Sequence, residues 1–393
     1  MKVLFVSNLF PDTTDPVRGR INATLLRKLS GRVDVRVVGL RPVIPFLNRG
    51  RSRLKPCPED EALRPVYRGV SYVPKIGGAI NHRLLAADVT ATLVGMRREF
   101  PYDIVLGSWI YPDVCGLARV LRYSRGFSVP LVGIAQGSDV HQYLGMRFRK
   151  ELIVETLNEI PATITRSRDL AERLKDAGVD EGRLHPIYNG VDTDVFRRAD
   201  RGEARAALGW KADPAVLLYV GNLLPIKNPV LLVRAHARLA AEHKTSPPRL
   251  VMIGAGPLRD QIIGEARAAG TADLVELVGR KPAVDVARHM QAADVLCVPS
   301  DNEGVPNVAF EAMACGLPIV ATRVGGIPEV VDRAELGDLI AAGDENGMVA
   351  ALNSHLKEGR SRDRIAAHAL QFSWDATVDA YVKVLQDARA ATP

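Results

Sequence analysis

Two glutamates, Glu303 and Glu311, stand with seven residues between them in the stretch Pro299–Pro318. An apolar strand pattern runs out at Pro299, a polar loop follows, and a helical pattern opens near Asn307. Gly316 stops that pattern, with Pro318 just beyond. The first amides of a helix have no partner within it, so the turn Gly304-Val305-Pro306-Asn307 makes an anion site suited to a diphosphate. Glu303 precedes the helix and Glu311 falls on its second turn. Both can therefore face one ligand at the open end of a parallel sheet.

The elements around this stretch predict such a sheet twice over. Strand patterns at Val3–Val6, Val33–Gly39, Ile104–Gly107, Leu131–Ala135 and Ala162–Thr165 alternate with helical patterns at Asn22–Leu29, Leu84–Arg98 and Val114–Tyr123. A turn-rich break, Tyr188-Asn189-Gly190-Val191-Asp192, is followed by the charged segment Arg197–Ala207. A second alternation then begins: strands at Ala215–Val220, Leu250–Ile253, Val275–Leu277, Val295–Val298 and Ile319–Ala321. Helical patterns at Pro229–Ala241, Leu258–Ala269, Val284–Ala293 and Asn307–Cys315 separate them. Strand–helix alternation means α/β domains with parallel sheets covered on both faces.

The bulk properties agree. A chain of 393 residues exceeds one ordinary core, so two domains are expected. The formal charge of +7 favours anionic partners. It is spread as single arginines without a nucleic-acid module, so no nucleic-acid partner is expected. The four cysteines have no metal-ligand spacing, which reads as a reducing compartment without a structural metal. The apolar run at the N-terminus is too short for a signal peptide, and no run is long enough to span a membrane.

Glu303 and Glu311, in the setting EGVPNVAFEAMACGLP, resemble the E-x7-E signature of family four of the retaining glycosyltransferases, which have the GT-B fold. The resemblance implies two Rossmann-like doubly wound domains facing across a cleft. It places an acceptor-binding domain at 1–192, joined by the C-terminal helix 375–393, and a nucleotide-sugar-binding domain at 193–374. It gives Glu303 the transferred sugar and Glu311 the ribose hydroxyls, with Gly304, Val305, Pro306 and Asn307 beside the donor. Tyr219–Asn228 is similar to the family segment whose Arg and Lys bind the diphosphate. Lys227 matches the Lys, but Asn222 stands at the Arg position and brings no charge, so Arg18 or Arg20 would supplement the clamp. Gly254 in Gly254-Ala255-Gly256-Pro257 matches the family's glycine turn, Arg280 falls where the base is contacted, and Gly19 belongs to the loop after the first strand. Gln136 occupies the place of a family histidine near the donor sugar.

What the resemblance implies is retaining transfer of a sugar from a UDP- or GDP-linked donor to a glycan or lipid-linked acceptor in cell-envelope synthesis. Glu303, Lys227 and Gln136 are the residues expected to serve catalysis, with no cofactor and no metal. The Asp192-Thr193-Asp194 triplet looks like a metal motif but sits at the domain junction. Two alternatives are a non-catalytic sugar-nucleotide-binding protein and a GT-B epimerase. An NAD-dependent oxidoreductase would need G-x-G-x-x-G where Asn8-Leu9-Phe10-Pro11 stands. One segment, Arg41–Cys57, carries Arg41, Arg49, Arg51, Arg53 and Lys55 with Val43, Ile44, Phe46 and Leu47 and no acid. That mixture suits an anionic membrane surface, so a cytoplasmic enzyme peripheral at the inner membrane face is the expected setting.

Overall fold

The computed structural model describes residues 1–44, 54–123 and 129–391. They form two compact units, Met1–Asn189 with Trp374–Pro393, and Gly190–Ser373.

The first unit is built on a seven-stranded sheet in the order β3-β2-β1-β4-β5-β6-β7. The strands are β1 (Lys2–Ser7), β2 (Asp34–Val43), β3 (Val66–Ser71), β4 (Ile104–Ser108), β5 (Leu131–Ala135), β6 (Ala162–Thr165) and β7 (Leu184–Pro186). Every pairing is parallel. Strands covered on both faces must be apolar on both, and β4, β5 and β6 are buried along their whole length. In β1, Leu4 and Val6 enter one core with Val38, Leu85, Val105 and Ile153. The alternate residues, Val3 and Phe5, enter another with Leu25, Leu26, Leu106 and Ile164. The last helix, Trp374–Ala390, completes this second core through Trp374, Val378, Tyr381 and Leu385.

The second unit carries a six-stranded parallel sheet in the order β10-β9-β8-β11-β12-β13. Its strands are β8 (Val216–Val220), β9 (Arg249–Ile253), β10 (Val275–Gly279), β11 (Val295–Val298), β12 (Ile319–Thr322) and β13 (Gly337–Ile340). Helices Pro229–Glu242, Arg259–Ala268 and Glu345–Glu358 cover one face, packing Leu232, Leu239, Ile262, Met348 and Leu352 against Leu217, Met252 and Val320. Both sheets are wound outward in two directions, from β1 and β4 in the first and from β8 and β11 in the second. The loops leaving those four strands therefore part from each other and open a crevice at the carboxyl edge of each sheet.

Arg41 departs from the sequence expectation. It is a residue of β2, not of a basic segment facing a membrane surface, and its guanidinium is ion-paired with the buried Asp12 and donates to Phe10 O at 2.7 Å. Its charge is thus neutralised within the first unit. Residues 45–53 of the Arg41–Cys57 segment, including Arg49, Arg51 and Arg53, lie outside the described residues. Among those described, no helix is long and apolar enough to cross a membrane. All four cysteines are buried free thiols; burial pushes Cys115 and Cys315 up to about 12, so they pack as small hydrophobes.

Candidate active site

In the second unit, β8 and β11 are the neighbours at which the winding reverses, and their exit loops carry Lys227 and Glu303. Lys227 sits on the short turn Pro225–Lys227, immediately before helix Pro229–Glu242. That helix is capped by Asn228, whose side chain accepts from Leu231 N at 3.4 Å. The turn is tied to the β11 loop: Asp301 N donates to Ile226 O at 2.9 Å, and Asn228 Nδ2 to Asp301 Oδ1 at 3.0 Å. This lacing brings Lys227 Nζ onto Glu303 Oε1 as an ion pair. Ser300 Oγ donates to the same oxygen at 3.0 Å, and Ser300 is itself held by Thr322 Oγ1, which donates to its carbonyl at 2.5 Å. The Glu303 side chain is 11% exposed and that of Lys227 28%, so the pair is open on the lysine side.

Glu311 lies on helix Asn307–Ala314, whose start has no side-chain cap. Its carboxyl is pushed up to about 7 because burial disfavours the charged form. No described residue hydrogen-bonds or ion-pairs that carboxyl. A carboxyl in such surroundings is satisfied by a ligand that brings hydroxyl donors.

Glycines bring the loops together. A Cβ on Gly254 would lie 1.8 Å from Gly221 O, and Gly254 takes φ +146°, so no other residue lets the β8 and β9 exits touch. Those exits are joined by Leu223 N to Ala255 O at 3.1 Å. Likewise a Cβ on Gly325 would lie 1.7 Å from Glu303 O, and Gly326 N donates to Gly304 O at 2.8 Å. The Val324–Glu329 segment thus braces the backbone of Glu303 and Gly304. Asn222 and Arg280 are exposed on the exits of β8 and β10. The tyrosine before Asn222, Tyr219, donates from its hydroxyl to Asn222 O at 2.8 Å and fixes that turn.

In the first unit, the carboxyl edge of β1, β4, β5 and β6 ends in Ser7, Ser108, Gln136 and Arg166. Two buried aspartates set the loops. Asp113 accepts from Asn8 N at 2.6 Å and Asn8 Nδ2 at 3.0 Å; burial pushes it up to about 7 against these bonds. Asp139, raised by burial, accepts from the amides of Ile110, Gln136, Gly137 and Val140 at 2.8 to 3.1 Å. Gln136 Nε2 donates to Asn22 Oδ1 at 2.9 Å and to Ser108 Oγ at 2.7 Å. Asn22 N donates to Gly19 O at 2.9 Å; Gly19 takes φ +60° and a Cβ there would lie 2.1 Å from Leu9 O, so the position needs glycine. Arg18 is paired with Asp15 at 3.1 Å.

The structure therefore brings Lys227 and Glu303 together in one unit, and Gly19 and Gln136 close through Asn22 in the other. Sequence reasoning missed Ser300, Asn22, Ser108, Arg166 and Asp113. The first has a faint signal, three residues before Glu303 in the same loop; the others are polar residues at strand ends or on a helix, marked only by the fold. Asp192 and Asp194 make a turn, with Asp194 N on Asp192 Oδ1 at 3.2 Å. Among the described residues the group with metal-ligand spacing is Cys57, Glu59 and Asp60, and Asp60 is already ion-paired with Arg27.

Two family descriptions match the chain: Glycosyltransferase Family 4 over residues 19–195 and Glycosyl transferases group 1 over residues 200–372. The chain is 35% identical over 377 residues to the D-inositol 3-phosphate glycosyltransferase of Acidothermus cellulolyticus, covering 89% of this chain and 78% of that one. It is 36% identical over 311 residues to the protein of the same name from Actinosynnema mirum, covering 73% of each. The match to D-inositol 3-phosphate glycosyltransferase 2 of Catenulispora acidiphila, 35% identical, spans about half the length of that relative (56%) and 57% of this chain. Among solved structures, sucrose-phosphate synthase of Thermosynechococcus elongatus superposes with a TM-score of 0.78 at 20% identity, covering 100% of both chains. HepE of Anabaena in complex with UDP superposes with a TM-score of 0.75 at 19% identity, over 98% of this chain and 100% of that one. At such identities these two likenesses establish the shared fold.

Proposed function

The chain belongs to the family 4 glycosyltransferases, with the GT-B fold, and on that footing we propose that it transfers a sugar, with retention of configuration, from a UDP-linked donor to a hydroxyl-bearing acceptor. The observation that carries this reading is the Lys227–Glu303 pair, with Ser300 on the same carboxylate, at the carboxyl edge of β8 and β11. The choice of UDP is supported by the UDP and UDP-glucose complexes of HepE, which shares the fold. GDP is the alternative the chain's own residues leave open.

In this reading the second unit, 193–374 in the sequence division, holds the donor. Lys227 neutralises charge on the diphosphate, and the amides of Gly304, Val305 and Asn307 donate to it; Glu303 holds the transferred sugar and Glu311 the ribose hydroxyls. Asn222, Gly254 and Arg280 line the nucleotide. The acceptor hydroxyl oxygen attacks C1 on the face from which UDP leaves, as the C1–O bond to the β-phosphate breaks. The departing phosphate oxygen takes the hydroxyl proton, so no enzyme nucleophile is needed. The task left to the protein is to stabilise the leaving charge and align the groups. A metal-independent reaction fits a site whose positive charge comes from Lys227 and helix amides.

The acceptor is a glycan, a lipid-linked sugar or, following the relatives' name, an inositol phosphate. Cell-envelope synthesis at the inner membrane face is the setting such acceptors favour. The test is product formation from UDP-glucose, UDP-N-acetylglucosamine or GDP-mannose with inositol 3-phosphate and with lipid-linked glycan acceptors, the anomer read by NMR. Transfer with inversion would reject the mechanism. Donor binding without any transfer would leave a non-catalytic sugar-nucleotide-binding protein, and release of an epimerised sugar would mark an epimerase.

A further inference from the structure

The edge of the second sheet opposite Lys227 and Glu303 gathers guanidiniums around one cavity. The cavity measures about 360 Å³, within the range of small-molecule sites. Its walls include residues that lead into the strands: Asp213 before β8, Asp294 before β11 and Pro318 before β12. Arg201, which opens helix Arg201–Ala207, lines it together with Arg360 and Arg362, at the approach to helix Arg362–Ala369.

These arginines are unequally committed. Arg205, 2% exposed, is fully used: it donates to the carbonyls of Ala292, Lys211, Ala212 and Pro214 and to Asp294 Oδ2. Arg362 directs both terminal nitrogens to the carbonyls of Met290, Gln291 and Ala293 at 2.8 to 3.2 Å, while its buried Nε donates to no described residue. Arg201 and Arg360 each use one terminal nitrogen, on Asp294 Oδ1 at 2.5 Å and on Asp338 Oδ2 at 2.7 Å. Their Nη1 groups, on side chains 40% and 18% exposed, have no partner among the described residues. Asp294 is shared between Arg201 and Arg205 and neutralises only one of them. The four guanidiniums of Arg201, Arg205, Arg360 and Arg362 thus meet the three carboxylates of Asp213, Asp294 and Asp338, and the cluster stays positive. The crowding shows on Arg362: burial, with the charges of Arg198 and Arg201 nearby, brings its guanidinium down to about 10.

Surplus positive charge with free N–H groups at a cavity suits a phosphate group, which takes charge-assisted bonds from several guanidiniums at once. Asp213 adds a second requirement. Its carboxylate is exposed and accepts from no described residue, and a ligand with hydroxyl donors satisfies it. We propose that this cavity binds a small phosphomonoester of a polyol, with the phosphate on Arg201 and Arg360 in the field of Arg362 and a hydroxyl on Asp213, at a site separate from that of Lys227 and Glu303.

Calorimetric titration with glucose 6-phosphate and with inorganic phosphate, at constant ionic strength, tests the full chain and its Arg201→Gln, Arg360→Gln, Asp213→Ala and Lys227→Met variants. The wild type is expected to bind glucose 6-phosphate with a Kd of about 1 mM or tighter, at least about tenfold below that of inorganic phosphate. Arg201→Gln and Arg360→Gln each weaken both ligands by about tenfold, the loss of one charge-assisted hydrogen bond. Asp213→Ala weakens glucose 6-phosphate yet tightens inorganic phosphate, because it removes a hydroxyl acceptor and a repelling charge together. Damage to the fold would weaken both ligands, so these opposite signs decide even where an arginine variant does not fold. Lys227→Met changes neither Kd by more than about twofold. Binding lost in Lys227→Met and kept in the arginine variants puts the phosphate at the other site and overturns the proposal. Equal affinities of the wild type for the two ligands overturn the ester and leave free phosphate as the occupant. No binding of either ligand at about 10 mM overturns the site itself.

Discussion

Lys227 and Glu303, 76 residues apart in the chain, are ion-paired at the carboxyl edge of the second sheet, with Ser300 donating to the same carboxylate oxygen. The pair holds each side chain ready in the ligand-free state and spares the largely buried carboxylate an uncompensated charge. A diphosphate arriving at Lys227 competes with Glu303 for the ammonium. The two substitutions are therefore unequal.

Lys227→Met leaves Glu303 buried without its counter-charge and removes the cation for the phosphates, so both stability and donor binding fall. Glu303→Gln keeps the shape and leaves Lys227 free for phosphate. We expect Lys227→Met to weaken UDP binding by about tenfold or more and Glu303→Gln to leave it nearly intact. Both should reduce kcat by about a hundredfold. Calorimetric titration with UDP, followed by turnover assays, separates the two; equal losses of UDP affinity would contradict the assigned roles.

The Glu311 carboxyl gives a pH signature. Burial raises it to about 7 from the ordinary 4.5 of a glutamate, so the folded state holds its proton more tightly than the unfolded chain. Its contribution to stability is fully present below about pH 4.5 and is lost as pH rises through about 7. Glu311→Gln, neutral throughout, should therefore melt higher than the wild type at pH 8, with the gap closing towards pH 5. The same variant should raise the donor KM, because it can accept fewer bonds from ribose hydroxyls. A gap that widens towards pH 5 would reverse the sign and refute the account.

Gly254→Ala tests the contact between loops. The added Cβ has to displace Gly221 O from 1.8 Å and occupy a left-handed φ, at a cost of at least about 2 kcal/mol. The β8 exit carries Asn222 and Lys227, so donor affinity should fall together with the melting temperature. Gly264→Ala, in the middle of helix Arg259–Ala268 with open space around its Cβ, is the control and should be neutral or stabilising.

Addition of EDTA is expected to leave the rate of sugar transfer unchanged, since Lys227 and the helix-start amides carry the leaving-group charge in the proposed mechanism. A rate that collapses with EDTA and returns with Mg²⁺ would instead assign part of that task to a cation.

Much of the architecture is legible in the chain itself. Runs such as Val295–Val298 and Leu131–Ala135 carry no polar side chain because strands in the middle of a parallel sheet are buried on both faces. The E-x7-E loop and helix could be read for a similar reason: the loop, the helix start, Gly316 and both glutamates are local, within one short stretch. The strands that escaped notice are β3, β7 and β13, all at sheet edges or next to nothing beyond them. An edge strand is covered less completely, and Val66–Ser71 accordingly mixes Tyr67, Arg68 and Ser71 into its run, while Leu184–Pro186 is three residues long.

Other features exist only in three dimensions. That Lys227 finds Glu303, that Ser300 shares the carboxylate, and that Arg41 is neutralised by Asp12 depend on which strands become neighbours. The bond from Gln136 to Asn22 likewise joins residues from distant parts of the first unit's sequence. Hydrophobic periodicity reports whether a position is buried, since burial follows from the local repeat of the backbone. It carries no information about which polar side chains meet, because hydrogen bonds and ion pairs between distant segments are created by strand order and loop closure alone.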